Sequence, residues 1–149
     1  MEAITNKKAY FNYEFLEKFE AGVVLTGAEV KSTRLGRVNL AGSYVVLKGD
    51  EVYLLNATIF PFQPQNTPKD YQPTRPRKLL LHKKEIQYLI GKSKQRGLTL
   101  IPLRVYSNKG KIKIEFAVAR GRKKTDKKEL IQKRETQRDI RREFLAKRG

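Results

Sequence analysis

The sequence of 149 residues contains no cysteine, no tryptophan and a single histidine, His82. Without cysteine the chain has neither a disulfide framework nor a thiolate metal site. With one histidine it has no multi-histidine metal site, and we interpret His82 as a structural residue. The sequence also lacks a G-x-x-x-x-G-K-[ST] phosphate loop and any D-x-D or E-x-x-H pairing. These absences argue against an enzyme, and we expect no cofactor and no metal.

Long apolar runs are missing as well. The longest, such as residues 44–47 and 79–81, are far shorter than the ~20 residues that cross a bilayer as a helix. The N-terminus, residues 1–8, shows neither an apolar core nor a small-residue cleavage pattern. We therefore expect no membrane-spanning segment and no export signal, and we predict a cytoplasmic protein.

Positive charge is what the sequence has in excess: 33 Lys and Arg against 15 Asp and Glu, a net charge of +18. Such an excess attracts polyanions, so nucleic acid or an anionic membrane surface is the default partner. Residues 120–149 hold 13 of the basic and 5 of the acidic side chains but few apolar ones. We predict a folded body over residues 1–120 and a basic tail over residues 121–149, which is disordered or nascently helical until a polyanion binds.

Hydrophobic patterning predicts that the body is mainly β. Residues 44–48 and 51–55 are rich in β-branched and aromatic side chains and flank a Gly-Asp turn, which indicates a hairpin. Residues 98–106 and 111–119 predict a second hairpin. In its second strand apolar residues alternate with Lys and Glu, so one face meets water or a charged partner. About six strands in all suggest a small antiparallel barrel.

Two short helices are expected between these strands. Thr26 followed by Glu29 has the spacing of a capping box and predicts a helix that ends by Gly36. Apolar residues recur at helical spacing from Ile86 until Gly97, which predicts a second helix.

Residues 61–77 have no periodicity and contain five of the six prolines. Connections of this length are uncommon in compact domains. The segment ends in Arg75, Arg77 and Lys78, and we interpret it as a stiffened loop that delivers positive charge to one edge of the barrel.

Residues 10–19 contain five of the 14 aromatic side chains, directly after Lys7 and Lys8. Aromatic rings beside cations bind single-stranded or looped RNA. The alternative is a core role, which we favour for Phe15 and Phe19 because their spacing places them on one helical face. Cations around the first predicted helix are open to the same two interpretations, RNA binding or solvated surface: Lys31, Arg34 and Arg37.

Four stretches together resemble a known bacterial family: EAGVVLTGAEVKS at residues 20–32, Asn-Leu and Ser-Tyr within 39–44, RPRKLLLH at 75–82 and GLTLIPL at 97–103. In this order they are similar to the SsrA-binding protein family, SmpB, over nearly the whole chain. The resemblance implies an oligonucleotide-binding-type (OB) barrel that partners transfer-messenger RNA. In that family the protein grips the tRNA-like domain and supports its alanylation by alanyl-tRNA synthetase. It also supports delivery with elongation factor Tu and GTP to the vacant A site of stalled ribosomes.

The resemblance also implies roles for residues by matched position. The body residues implied in recognition of the tRNA-like domain are Asn6, Lys7, Glu20, Arg34 and Leu80. To these we add neighbouring cations as predicted RNA contacts: Lys8, Lys31, Arg37, Arg75, Arg77 and Lys78. The tail is implied to act, as a helix, at the decoding centre and in the empty mRNA channel. Its predicted ribosome-binding residues are Arg120, Gly121, Arg122, Lys123, Lys124, Asp126, Lys127, Lys128, Lys133, Arg134, Arg138, Arg141 and Arg142.

The sequence departs from the usual family pattern at Ala28, where Thr is common, and at Thr125 and Lys128 of the tail. On composition alone, a structural ribosomal protein with a basic extension stays open as an alternative, and so does an RNA-processing enzyme. We expect a monomer without membrane contact.

Overall fold

The computed structural model describes residues 1–148. Within the last helix, the side chains at positions 124, 126, 139, 140 and 142–148 lie outside the described part. The elements follow in the order β1 (Ile4–Thr5), α1 (Lys7–Asn12), β2 (Tyr13–Val23), α2 (Gly27–Arg34), β3 (Val38–Asn39), β4 (Tyr44–Lys48), β5 (Glu51–Leu55), β6 (Thr58–Ile59), β7 (Arg77–Leu80), α3 (Lys83–Ser93), β8 (Leu98–Asn108), β9 (Lys111–Gly121) and α4 (Lys124–Arg148). A single 3-10 turn occupies Pro64–Asn66.

Six of these strands close into an antiparallel barrel. Their order is β8-β4-β5-β7-β2-β9, and β9 pairs back onto β8 to complete the ring, while β1 adds to β8. Both predicted hairpins are present, and Gly49 takes the positive φ of 63° that the β4–β5 turn requires. The prediction of a mainly β, OB-type antiparallel barrel of about six strands is confirmed.

The barrel core consists of the inward side chains of the strands. In β9 the alternating residues Ile112, Ile114, Phe116 and Val118 are buried, as the pattern predicts. Ala119 is also buried, because it packs under α1 against Ala9 and Ile101. Leu89 of α3 is fully buried in the same core as the β-strand residues, which fixes α3 on the barrel.

The capping box of α2 forms as predicted. The Thr26 hydroxyl oxygen accepts from the Glu29 amide at 3.2 Å, and the Glu29 carboxylate accepts from the Thr26 amide at 3.0 Å. The predicted second helix is α3, which ends at Ser93, four residues before Gly97.

The helical interpretation of the aromatic segment is wrong for residues 13–19, which belong to the long strand β2. β9 pairs with β2 along almost its whole length, so tertiary pairing decides the conformation. Phe15 and Phe19 nevertheless pack against the buried clusters, and the ring centroids of Phe19 and Phe116 are 5.6 Å apart. The core role predicted for both rings is therefore confirmed.

Among the described residues, no helix has the length and apolar character that crossing a membrane requires.

Candidate nucleic-acid interface

Four neighbouring strands place one residue each in a row across the outer face of the barrel. Tyr106 of β8 lies opposite Lys113 of β9, Lys113 opposite Gly22 of β2, and Gly22 opposite Leu80 of β7. Residues directly opposite one another in a sheet share a face. Leu80 is 55% exposed, although it is a large apolar residue. We call these four residues the exposed row.

Gly22 opens a gap in this row. A Cβ atom at position 22 would lie 3.5 Å from the Leu80 Cβ and 3.8 Å from the Lys113 ammonium nitrogen. Because glycine has no side chain, the space between the leucine and the ammonium stays accessible. An apolar side chain and a cation thus flank a gap of bare backbone, which suits a ribose or base edge next to a phosphate.

Charged groups form a second row beside the first. Glu20 lies opposite Glu115, and Glu115 lies opposite Arg104. The Tyr106 hydroxyl donates to the Glu20 carboxylate, and the Arg104 guanidinium lies 4.4 Å from the centroid of the Tyr106 ring. Arg104 also lies 3.4 Å from a carboxylate oxygen of Glu115.

The phenol of Tyr106 orients Glu20. Partial burial and the hydrogen bond to Glu20 raise the pKa of Tyr106 to about 12. The phenol therefore keeps its proton at neutral pH and donates a hydrogen bond to the carboxylate. The exposed Glu20 carboxylate is held at the edge of the exposed row, where it is placed to accept from a base edge or a ribose hydroxyl.

A groove of about 350 Å³ separates the exposed row from α2. Val23, Leu25 and Val30 contribute apolar side chains to its lining, and Lys111 and Lys113 bring cations to it. Arg34 donates to the Gly110 carbonyl oxygen at 3.0 Å and so ties the end of α2 to the β8–β9 turn. Of the residues implied by the resemblance, Leu80 lines this groove, and Arg34 contacts it through Gly110. Glu20 lies outside the lining, two residues before Gly22 on β2.

The predicted residues of the N-terminal segment lie at the other end of β2. Tyr13 begins β2 and Gly22 lies one residue before its end, nine residues away and about 30 Å along a strand. Lys7 and Lys8 are exposed on α1. Asn6 is buried: its side chain donates to the Pro102 carbonyl oxygen at 2.9 Å and caps α1. We therefore assign Asn6 the role of positioning the two lysines.

Three further predicted cations are exposed and have partners within the chain. The Lys31 ammonium lies 5.5 Å from the centroid of the Phe62 ring, and Arg37 donates to the Phe62 carbonyl oxygen at 3.0 Å. The Lys78 ammonium lies 3.3 Å from a carboxylate oxygen of Glu51.

The structure corrects the interpretation of Arg75 and Arg77 as charge delivered to the surface. Arg77 is fully buried, and its guanidinium donates to the Glu29 carboxylate at 2.6 and 3.0 Å and to the Ala57 carbonyl oxygen at 2.9 Å. Arg75, about one-third exposed, also pairs with Glu29. The physical reason is that a buried carboxylate needs charged hydrogen-bond partners. These arginines fasten the proline-rich segment to α2.

Acid is expected to weaken this ion pair. Burial would raise the pKa of Glu29, but hydrogen bonds from Arg75, the Thr26 amide and Arg77 lower it from 4.5 to about 2. A carboxyl with a depressed folded-state pKa stabilises the fold fully above its unfolded value, and this contribution is lost as pH falls from about 4.5 towards 2. The loss is about 3 kcal/mol. Urea unfolding measured between about pH 7 and pH 2 checks it. The free energy of unfolding of Glu29→Gln should fall less over this pH range than that of the unmodified protein. Equal falls in the two proteins would contradict the assignment of this effect to Glu29.

The tail begins at an anchored joint. The Arg122 amide donates to the Asn12 carbonyl oxygen at 2.8 Å, and its guanidinium donates to the Tyr13 carbonyl oxygen at 3.2 Å. The Lys127 ammonium lies 5.9 Å from the centroid of the Phe11 ring. Beyond the joint, α4 exposes a series of predicted cations: Lys128, Lys133, Arg134, Arg138 and Arg141. Arg120, Gly121 and Lys123 are exposed at the joint itself. The predicted side chains of Lys124, Asp126 and Arg142 lie outside the described residues.

Sequence reasoning missed part of this interface. The alternation in β9 marks Lys111, Lys113 and Glu115 as outward-facing, but nothing local shows that Lys113 lies beside Gly22. Within the described residues, no group of three or more His, Cys, Asp or Glu side chains could hold a metal ion.

A closed, antiparallel β-barrel with a cation-lined groove and a basic helical extension defines a small nucleic-acid-binding protein of OB type. The family model described as "SmpB protein" matches residues 3–146. The chain therefore belongs to the SmpB protein family, as the resemblance in the sequence indicates.

Relatives cover almost the whole chain. An SsrA-binding protein of Sulfurihydrogenibium sp. (strain YO3AOP1) is 50% identical over 143 residues, 96% of this chain and 93% of the relative. An SsrA-binding protein of Trichormus variabilis is 48% identical over 137 residues, 92% of this chain and 88% of the relative. A solved structure described as "tmRNA-SmpB: a journey to the center of the bacterial ribosome" is 42% identical with a TM-score of 0.70, and the match covers 88% of this chain and 95% of that one.

Proposed function

We propose that this protein binds the tRNA-like domain of transfer-messenger RNA with its barrel and brings that RNA to the A site of stalled ribosomes for trans-translation. The relatives' names, SsrA-binding protein, and the solved structure of transfer-messenger RNA with SmpB in the ribosome support this function. The observation that carries the proposal is a groove lined by the exposed Leu80 and the cations Lys111 and Lys113. Arg34 is bound to its edge at Gly110, and Glu20 lies two residues before Gly22 on the same strand.

The groove divides recognition between two kinds of contact. Lys111, Lys113 and Arg34 pair with phosphates, which positions the RNA backbone. Leu80 packs against a ribose or an unstacked base, and Glu20, oriented by Tyr106, accepts a hydrogen bond from a base edge or a 2′-hydroxyl. Lys7 and Lys8 contact the same RNA at the other end of β2. Lys31, Arg37 and Lys78 add positive charge elsewhere on the surface of the body.

The tail has a separate task. Its exposed cations suit a channel lined with ribosomal RNA, and its helix enters that channel only when no mRNA fills it. The predicted ribosome contacts lie on both sides of the Arg122 joint, and the joint sets the direction in which α4 leaves the barrel. The RNA mediates the association of the protein with elongation factor Tu and GTP and with alanyl-tRNA synthetase. We place the protein in the cytoplasm as a monomer.

The two alternatives from composition are not favoured. A structural ribosomal protein would resist removal from all subunits by high salt, whereas this protein should accompany one RNA and a small fraction of ribosomes. The names of the relatives describe binding proteins and not RNA-processing enzymes.

Salt dependence separates the two kinds of contact in the groove. Replacing Lys113 with Gln is expected to weaken binding of the tRNA-like domain and to reduce the slope of log affinity against log salt by about 1, because one phosphate contact is lost. Leu80→Ala should weaken binding about fivefold with the slope unchanged, because the lost contact is apolar. Glu20→Gln should also leave the slope unchanged. Filter binding over a salt series measures both quantities.

Lys94→Gln is the matched control, since Lys94 is an exposed lysine beyond α3 and outside the groove. It should behave as the unmodified protein does. An equal slope change for Lys94→Gln and Lys113→Gln would show that Lys113 has no specific phosphate contact.

A further inference from the structure

A second pocket, of about 280 Å³, lies on the opposite flank of α2 from the groove. Ala28 and Ser32 of α2 form one wall, and the proline-rich segment forms the other with Phe60, Phe62 and Tyr71. Val30, which faces the groove, lies on the other side of the helix. The proposed function described above makes no use of this pocket.

Hydrogen bonds hold the walls together. The Ser32 hydroxyl donates to the Phe60 carbonyl oxygen at 2.7 Å, and the Phe60 amide donates to the Arg37 carbonyl oxygen at 3.0 Å. The Tyr71 hydroxyl donates to the Ile59 carbonyl oxygen at 2.8 Å. Below them Glu29 is paired with both arginines. The pocket is therefore formed before any ligand arrives, which reduces the entropic cost of binding.

The lining and the rim differ in chemistry. Phe60 is 48% exposed beside the pocket, although an aromatic ring gains free energy by leaving water. The exposed cations Lys31 and Arg37 are both fixed on Phe62. Glu29 at the base is already neutralised by two arginines. The site thus offers an aromatic surface with positive charge at its edge, which complements a base attached to a phosphate.

The volume limits the size of the occupant. Pockets for drug-sized ligands usually span about 300–1,000 Å³, so this one is small and takes a single ring system. An oligonucleotide would not fit inside, whereas one base that has left its stack would.

We propose that this pocket binds one unstacked nucleobase of a single-stranded or looped RNA segment, stacked against Phe60 or Phe62, with Lys31 and Arg37 pairing to its phosphates. The inference rests on the proposed function, since it extends the RNA-binding surface across α2. Arg34, on the groove side of α2, adds a cation at the edge of that surface. The RNA chemistry is the same whether the base belongs to transfer-messenger RNA or to ribosomal RNA.

Photo-crosslinking with the full chain tests this proposal. One arm uses the tRNA-like domain of transfer-messenger RNA transcribed with 4-thiouridine, and the other uses ribosomes with 4-thiouridine-containing RNA. The crosslinked peptide is identified by mass spectrometry. A crosslink to the segment around Phe60 and Phe62 in either arm is the expected result, and the arm in which it occurs identifies the source of the base.

Two variants measure the contribution of the pocket. Phe60→Ala removes a stacking surface, and Ala28→Leu fills the pocket from α2. Each should weaken binding of the protein to whichever partner gives the crosslink, the tRNA-like domain or the ribosome, by about 5- to 100-fold. Leu16→Ala is the control, because Leu16 is an exposed apolar residue, 43% accessible, that does not line the pocket. Unchanged melting temperatures would establish that the variants fold.

The outcomes separate this inference from the function beneath it. If the unmodified protein binds neither the tRNA-like domain nor ribosomes, the proposed function fails. If it binds but gives no crosslink at the pocket, and both variants bind normally, only the nucleobase pocket is wrong. A pocket that is instead protected by a ribosomal protein, with no RNA crosslink, would also overturn the proposal.

Discussion

Ending the chain after Lys123 is expected to abolish tagging on stalled ribosomes while leaving affinity for the tRNA-like domain nearly unchanged. The truncation removes α4 and 10 of the 33 basic residues, but it retains the Arg122 joint and every strand of the barrel. The groove contacts of Arg34, Leu80 and Lys113 are all kept. A translation system with an mRNA that lacks a stop codon measures tagging, and filter binding measures affinity.

A second variant distinguishes charge from the mere presence of a helix. Replacing Lys133, Arg134 and Arg138 with Gln removes three cations. Gln is also a good helix former, so these exposed positions should stay helical. It should reduce tagging and ribosome association without changing binding of the tRNA-like domain. If the truncated protein loses RNA binding outright, the division of labour between barrel and tail is wrong. If it still supports tagging, the role of the tail is wrong.

The state of the tail in the free protein stays a prediction. We expect hydrogen exchange at α4 to be fast in the free protein, because a helix with this many exposed cations repels itself. Exchange should slow when ribosomal RNA offsets that repulsion.

Replacing Glu29 with Gln is expected to destabilise the protein by about 3–5 kcal/mol. The substitution leaves the Arg77 guanidinium fully buried without its counter-charge, and it weakens the link from α2 to the proline-rich segment. Total stability of a domain is typically only about 5–15 kcal/mol, so the loss is a large share of it. Urea unfolding at neutral pH measures the change in the free energy of unfolding.

Two controls make this result specific. Glu51→Gln breaks the exposed pair with Lys78 and should change the free energy of unfolding far less than Glu29→Gln does, because solvent screens such pairs. Replacing both Glu29 and Arg77 with Met removes both buried charges and should recover part of the stability lost in Glu29→Gln. If Glu29→Gln costs no more than Glu51→Gln, the buried pair does not hold the segment in place.

The features that the sequence predicts well depend on neighbours in the chain. The capping box joins Thr26 to Glu29, three residues away, and the β4–β5 hairpin depends on a turn containing Gly49. Both features can be predicted because the residues that form each of them lie within a few positions of one another. The alternation in β9 predicts its outward face for the same reason.

The burial of Arg77 cannot be predicted from neighbouring residues. Its partner Glu29 is 48 residues distant, so the sequence shows a basic cluster where the fold has a buried ion pair. Similarly, Gly22 meets Leu80 and Lys113 only because β2 lies between β7 and β9. The order of strands is a property of the whole barrel, so the exposed row could not be read from any one segment.

The aromatic segment shows a different limit. A spacing of four places Phe15 and Phe19 on one face of a helix and also on one face of a regular strand. In β2 the register shift between Phe15 and Glu17 instead sets Phe15 opposite Ala119 and Phe19 opposite Phe116, so the two rings pack against different clusters. The periodicity predicts their burial but does not choose between the two conformations. Pairing with β9 makes that choice.

The central claim is that the barrel and tail together partner one RNA on stalled ribosomes. The most direct test is to crosslink the tagged full-length protein to RNA in cells with stalled ribosomes, purify it under denaturing conditions and sequence the attached RNA. The account predicts that transfer-messenger RNA dominates, with crosslinks concentrated in its tRNA-like domain and a minor share in ribosomal RNA near the decoding centre. Even coverage of ribosomal RNA without enrichment of transfer-messenger RNA would contradict it.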